Sequence, residues 1–268
     1  MGGDDCLPSG PKMQSSIILS VLILGLVAAT PVDVSNFNQI QLNQVAAPRN
    51  PLIEHAILEA LEGLRKDMVT GSNDIPVLDP LEVEHVHLNE ELLSLPGSHV
   101  TVKDLKVNKL STFVVDTLSV NVETLLPLRY RITFDIRVPE LPAEADNYDL
   151  MLIAQGLNIF GNGDAKVKLI EPKVYGHLVL SPRVTIVSGL FYSITTSNVN
   201  FALKGFESEI NGLMNDPEMS AFINQFLGHF VPDAVVVYKD DITKILSETV
   251  MEIGNELLQD FNLGGILG

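Results

Sequence analysis

Apolar residues recur at helical spacing near both ends of the chain and at alternate positions through its middle. Leu52, Ile53, Ala56, Ile57, Ala60, Leu61, Leu64 and Met68 fall at steps of one, three and four. Phe222, Ile223, Phe226, Leu227, Phe230, Val231, Ala234, Val235, Tyr238, Ile242, Ile245, Leu246, Val250, Ile253 and Leu257 keep the same period. Each set makes one apolar face on a 3.6-residue repeat. Asn50-Pro51 and Asp216-Pro217 open the two patterns with a capping side chain and a first-turn proline. The first pattern stops at Gly71, and Pro76 and Pro80 bar its continuation. Pro232 lies inside the second without disturbing its register, which predicts a kinked helix rather than two separate ones.

Between the helices the period is two. Tyr130, Ile132, Phe134, Ile136 and Val138 interleave with Arg129, Arg131, Thr133, Asp135 and Arg137, the pattern of a half-buried strand. Segments 83–93, 99–109, 112–123, 148–160, 164–170, 174–180, 184–194 and 198–203 favour strand by their Val, Ile, Thr and aromatic content. Gly161-Asn162-Gly163 reads as a hairpin turn, with further reversals at Pro172 and at Ser181-Pro182. Long strands joined by short turns imply one strongly twisted antiparallel sheet. The class is α+β: a curved sheet against two long helices, leaving an elongated apolar channel between them. With no repeat and no linker, a single domain is expected over 50–263, with an extended tail over 30–49 and a short tail at 264–268.

The N-terminus changes the picture. Residues 17–29 are an uncharged apolar run, shorter than the ~20 residues a membrane-spanning helix needs. Lys12 precedes it and Val27-Ala28-Ala29 ends it with small residues, so 1–29 reads as an extension and signal peptide, and the protein as secreted and extracellular. The lone Cys6 falls before that core, so no disulfide is expected in the mature chain. Formal net charge is −17, and the leader contributes only Lys12, Asp4 and Asp5 to it. An acidic surface repels phosphate backbones and anionic head groups, which argues against nucleic acid as a partner and against polybasic membrane docking; no stable membrane insertion is expected either, since the apolar run is too short to span.

The segment from Gly63-Leu64-Arg65 to Ile75-Pro76-Val77-Leu78-Asp79-Pro80-Leu81 resembles the insect takeout and haemolymph juvenile-hormone-binding protein family, which places an amphipathic helix before an I-P-x-L-D-P-L signature. Val138-Pro139-Glu140-Leu141 followed by Tyr148 is similar to its P-x-L…Y stretch. Gly161-Asn162-Gly163 before Ala165, Val167 and Leu169 resembles its G-x-G hairpin. Phe222-Ile223-Asn224-Gln225-Phe226 resembles its closing F-(I/L)-N-x segment. The likeness implies a super-roll, in which a highly curved antiparallel sheet wraps a long helix, and a secreted carrier of apolar small molecules. This chain departs from the family in lacking the cysteine pair near the mature N-terminus.

Chemistry is otherwise sparse. His85 and His87 share a strand face near Glu82 and Glu84, the most metal-like cluster, but no third ligand is signposted and no metal or other cofactor is assigned. There is no G-x-S-x-G elbow, and Gly161-Asn162-Gly163 lacks the third glycine of a dinucleotide loop. No enzyme is expected. What remains is apolar: Leu64, Met68, Phe113, Val115, Phe134, Ile136, Met151, Ile153, Phe191, Phe201, Phe226, Phe230, Tyr238 and Met251 are candidates to line the channel; for any one of them a place in a filled core is the better reading, but a rolled sheet and two helices of this length are hard to close without a gap. Tyr130, Tyr192, Tyr238 or a histidine would supply a polar anchor. The expected function is a monomeric carrier of a hydrophobic small molecule. The alternative is a secreted interaction or defence protein with a filled core, acting through its surface.

Overall fold

The computed structural model describes residues 49–72, 75–93, 96–154, 157–183 and 191–258. The expected leader, the tail as far as 48, positions 184–190 of the 184–194 strand, and 264–268 lie outside them. Helix α1, Pro51–Thr70, begins as its capping signals require: the Asn50 side chain accepts the Ile53 N–H at 3.3 Å. Nine strands follow: β1 Leu81–Leu88, β2 His99–Val107, β3 Val114–Leu125, β4 Leu128–Arg137, β5 Glu140–Ala154, β6 Leu157–Ile170, β7 Lys173–Arg183, β8 Phe191–Ala202 and β9 Gly205–Ile210. A short helix α2, Glu90–Leu93, follows β1, and a 3-10 turn, Leu110–Thr112, precedes β3. Helices α3, Pro217–Val237, and α4, Lys239–Leu257, close the fold.

The strands form two antiparallel sheets, ordered β1-β2-β5-β6-β9 and β3-β4-β7-β8. The two orders are one order. Strands β2 and β3, β4 and β5, β6 and β7, and β8 and β9 follow one another with only a few intervening residues, and each pair occupies the same place in its sheet. Four long strands therefore run through both sheets and bend along a common seam, with β1 added at one edge. Backbone bonds cross the seam: Asn108 N to Pro142 O at 2.9 Å, Val138 N to Pro172 O at 3.0 Å, Glu171 N to Pro139 O at 3.0 Å and Lys204 N to Ile170 O at 3.1 Å. Pro139, Pro142 and Pro172 lack the N–H that a regular ladder needs, so the bend falls where they sit. Ion pairs Lys109–Glu140 at 2.9 Å and Lys204–Glu171 at 2.7 Å flank it.

Several boundaries differ from the sequence reading. The 83–93 segment is strand only to Leu88 and then turns helical. The stretch read as separate strands 148–160 and 164–170 divides elsewhere: β5 ends at Ala154, and β6 runs through Gly161-Asn162-Gly163. Those glycines make no hairpin. They admit the 211–213 segment against the strand: a Cβ on Gly161 would stand 2.6 Å from Gly212 O, and one on Gly163 2.6 Å from Asn211 O. Ser181-Pro182 is no reversal either, since both lie within β7 and pair with Ser193 and Tyr192 of β8; the ladder to β4 ends at Leu180, so Pro182 leaves no bond unmade on that side. Segments 184–194 and 198–203 join in β8, as far as they are described. Helix α3 continues past Pro232, and the division falls at Tyr238. There Val235, Val236 and Val237 are weak helix formers, while Asp240 and Asp241 suit the first turn of a new helix.

Two apolar clusters hold the helices. The first joins Ile53, Ile57, Leu61, Leu64 and Met68 of α1 to Leu78, Leu81, Leu110, Phe113, Val120, Tyr130, Ile132, Ile136, Val138 and Tyr192. The second joins Val250 of α4 and Leu258 to Phe134, Leu178, Ile194 and Val199.

Candidate hydrophobic ligand site

The register gives the five-stranded sheet two unlike faces. On one, Glu82, Lys106, Glu144, Lys166 and Glu209 stand opposite one another in sequence across all five strands, an alternating row of charge. Lys106 pairs with Glu82 at 3.2 Å, and Lys168 with Glu207 at 2.5 Å in the neighbouring row. A pocket of about 390 Å³ lies among Asn108, Pro142, Ala143, Glu144, Lys166, Val167, Lys168, Glu207, Ser208 and Glu209. Long charged side chains make up half of its lining, and none of the channel residues predicted from the sequence borders it.

Alternation puts the opposite set on the other face: Leu81, Val107, Ala143, Val167 and Ser208 in one row, and Val83, Leu105, Ala145, Ala165 and Ile210 in the next. Every member but Ser208 is apolar, many are small, and all except Leu81 and Ala145 are only half-buried. These floor residues went unnamed as site candidates because each is unremarkable alone. The signal was the alternation of small apolar with charged residues over 142–146 and 164–168, visible only once the register brings five strands side by side.

Helix α3 carries the second apolar surface. It docks on the edge strand β9 through Asn224, whose Oδ1 accepts the Ile210 N–H at 3.0 Å and whose Nδ2 donates to Ile210 O at 3.0 Å. Its outer side presents Phe222, Phe226 and Phe230 at 65%, 51% and 49% exposure, with Phe226 and Phe230 stacked at 5.0 Å. Helix α4 covers the other edge strand the same way: Asn255 takes the Ile194 N–H at 2.7 Å and donates back to Ile194 O at 3.0 Å, and Ser247 accepts from Val199 N at 2.9 Å. Both asparagines satisfy a free strand edge.

The structure scatters the predicted channel residues. Leu64, Met68, Phe113 and Ile136 lie in the first cluster with Val115 against it, and Phe134 in the second with Met251 against it. Met151, Phe191 and Phe201 are half-buried, whereas Ile153, Phe226, Phe230 and Tyr238 are exposed. Of the proposed anchors, Tyr130 and Tyr192 meet inside the first cluster with ring centroids 5.8 Å apart. Burial raises the pKa of both, Tyr192 to about 12, while a hydrogen bond from the Asn50 side chain moderates Tyr130. His85 and His87 stack at 6.4 Å, and His87 Nδ1 lies 2.9 Å from Thr101 Oγ1. Among the described residues no three metal-ligating side chains converge. Nor is any described helix long and apolar enough to cross a membrane.

The signature 75–81 acts structurally. Asp79 accepts the N–H groups of Lys109 at 2.7 Å and Ser111 at 3.0 Å and also the Ser111 hydroxyl, fixing the turn before β3. Arg65 completes the corner, lying 4.5 Å over the Phe113 ring and donating to Phe113 O at 2.7 Å.

No curated protein matches the chain at the level of sequence. Among solved structures, it is similar to takeout 1 of Epiphyas postvittana with a TM-score of 0.50, at 18% identity, over 78% of this chain and 93% of that one. A remoter likeness, TM-score 0.35 at 11% identity, is to a lipopolysaccharide binding protein, over 77% of this chain and 38% of that one. The former shares the fold, a curved antiparallel sheet with long helices. A model of the haemolymph juvenile hormone binding protein (JHBP) family matches residues 21–267, nearly the whole length, and the chain belongs to that family.

Proposed function

We propose that the protein is a secreted carrier that takes up an elongated hydrophobic small molecule, a terpenoid, fatty acid or similar lipid, in an apolar channel between the bent sheet and its helices. The observation that carries this reading is the incompletely buried apolar floor of the five-stranded sheet, Val83, Leu105, Val107, Ala143, Ala165, Val167 and Ile210. Small side chains leave room above such a floor, and a guest that covers it removes apolar surface from water. Membership of the JHBP family supports the same chemistry. The uncovered phenylalanine stripe of α3 adds a second surface on which an oily chain would lie.

Magnitudes bound the affinity. Burying ~10 methylene groups at ~0.8 kcal/mol each gives ~8 kcal/mol before association costs. That corresponds to a dissociation constant of about 1 μM at best. Tighter binding calls for a polar contact at the head of the guest. The net negative charge of the chain keeps the loaded carrier in solution.

Native mass spectrometry of the protein from a eukaryotic host tests the reading. One apolar molecule of a few hundred daltons is expected to leave with each chain and to return after extraction. A homogeneous chain mass that accepts no long-chain guest favours the alternative, a filled protein acting through its surface.

A further inference from the structure

Hairpin turns that face water are ordinarily built from Gly, Asn, Asp and Ser. The turn joining β3 to β4 is Leu125-Leu126-Pro127-Leu128 instead. Leu125 is 71% exposed and Leu126 95%, so Leu126 rests on almost nothing of its own chain. Leu125 pairs with Leu128 across the ladder, and Pro127 O accepts the Thr124 hydroxyl at 2.6 Å. Pro127 has no N–H to satisfy. The apex thus presents apolar side chains over a main chain that meets most of its own hydrogen-bonding needs, the condition for leaving water.

Cations stand behind it. Arg129, next to Leu128 on β4, donates from Nε to Ser181 Oγ at 2.9 Å and pairs with no carboxylate among the described residues. Farther back on the same side of β4, Arg131 is neutralised by Glu123 and Arg137 by Asp116. Arg183 of β7 lies two residues beyond Ser181 on the same sheet face, its guanidinium 5.9 Å from the Phe191 ring centroid. On a chain of net charge −17 this arginine collar is a local exception.

We propose that the β3–β4 tip docks on a zwitterionic phospholipid layer, with its leucines seated among the acyl chains and Arg129 at the headgroup phosphates. Size favours lipid over protein. An apex of two projecting leucines falls far short of the ~800 Å² per partner that a stable protein interface uses, whereas fluid acyl chains close around any protruding apolar shape. Charge selects the kind of layer. The acidic chain as a whole is repelled by anionic lipid, while the collar matches a phosphate at close range. The seat is shallow and reversible, and it holds whether or not the chain carries a guest.

The chain contains no tryptophan, so Leu126→Trp installs a single reporter at the apex. With dioleoylphosphatidylcholine vesicles its emission is expected to shift to the blue and to be quenched by brominated acyl chains. Val237→Trp, at a site on α3 that is 74% exposed, is expected to stay water-like. In vesicle co-sedimentation the double variant Leu125→Ser/Leu126→Ser should partition at least about tenfold more weakly, since burying one leucine is worth roughly that factor. Its melting temperature should not change. Arg129→Gln should weaken partition by a smaller factor. A wild type that does not co-sediment overturns the proposal, as does either variant partitioning like the wild type. So does Leu126→Trp emission that stays water-like while the chain is vesicle-bound. A wild type that ignores vesicles but self-associates through these leucines also overturns it and gives the tip to a second copy. Failure to take up a long-chain guest, measured separately, sinks the carrier reading and leaves the docking intact.

Discussion

Single polar side chains fix the corners of this fold. Asp79 holds three donors around one turn, and Glu54 takes the Val120 N–H at 2.8 Å while pairing with Arg49 at 2.7 Å, so the start of α1 is tied to β3. Asp79→Ala leaves the Lys109 and Ser111 amides without their acceptor and is expected to cost about 2–3 kcal/mol in urea denaturation; a loss below ~0.5 kcal/mol contradicts that role. Tyr192 governs the alkaline side. Its folded pKa of about 12 exceeds the ordinary 10.0, so the unfolded chain releases this proton first as pH rises. Stability is therefore whole below pH 10 and falls toward pH 12. Tyr192→Phe should flatten that limb, leaving the part due to Tyr130 and Tyr148, both raised by burial. An alkaline limb identical to wild type would show that Tyr192 is not desolvated.

Helices here serve strand edges as much as faces. Asn224 on α3 and Asn255 on α4 each pair with both backbone groups of one edge residue, Ile210 and Ile194. Alanine at either position is expected to cost about 1–3 kcal/mol, and the two losses should add, because the sites lie on different helices and share no partner. Pro232 sits inside α3 and deprives Gly228 O of its helical donor. Pro232→Ala is expected to raise stability by about 1–3 kcal/mol; a destabilised variant would mean that the proline is needed where it stands. Sequence patterning located both helix starts and the strand core at 129–138, because capping chemistry and apolar period are local signals. It misplaced the β5–β6 reversal, because paired glycines serve close backbone approach as readily as a turn. It misplaced the division of the last helix as well, since proline is only one way to end a helix. The floor residues Ala143, Ala145, Ala165 and Val167 were beyond its reach, since the register that unites them is long-range.

Among the described residues, four long strands bend along one seam with β1 added at an edge, α1 packs on the four-stranded half, α3 and α4 hold the edge strands β9 and β8, and a charge ladder covers one face of the five-stranded half. Lys109 and Lys204, hydrogen-bonded to Glu140 and Glu171, hold those carboxyls below their ordinary 4.5. Both pairs are solvent-exposed, so their contribution, present above that value, is small; as pH falls through the lowered range it should show only as a modest loss of hydrogen-exchange protection around 138–142 and 170–173. Protection there that outlasts the rest of the sheet would contradict this. Filling the floor is the corresponding test of function: Ala165→Phe should fold yet bind a long-chain guest at least about tenfold more weakly, since the ring occupies the guest's place. Calorimetric titration of the wild-type protein with methyl palmitate at several temperatures bears most directly on the central claim. A saturable one-to-one isotherm, with a dissociation constant near or below 1 μM and a negative heat-capacity change from apolar burial, is the expected result; a featureless titration, or binding with no heat-capacity change, contradicts the carrier.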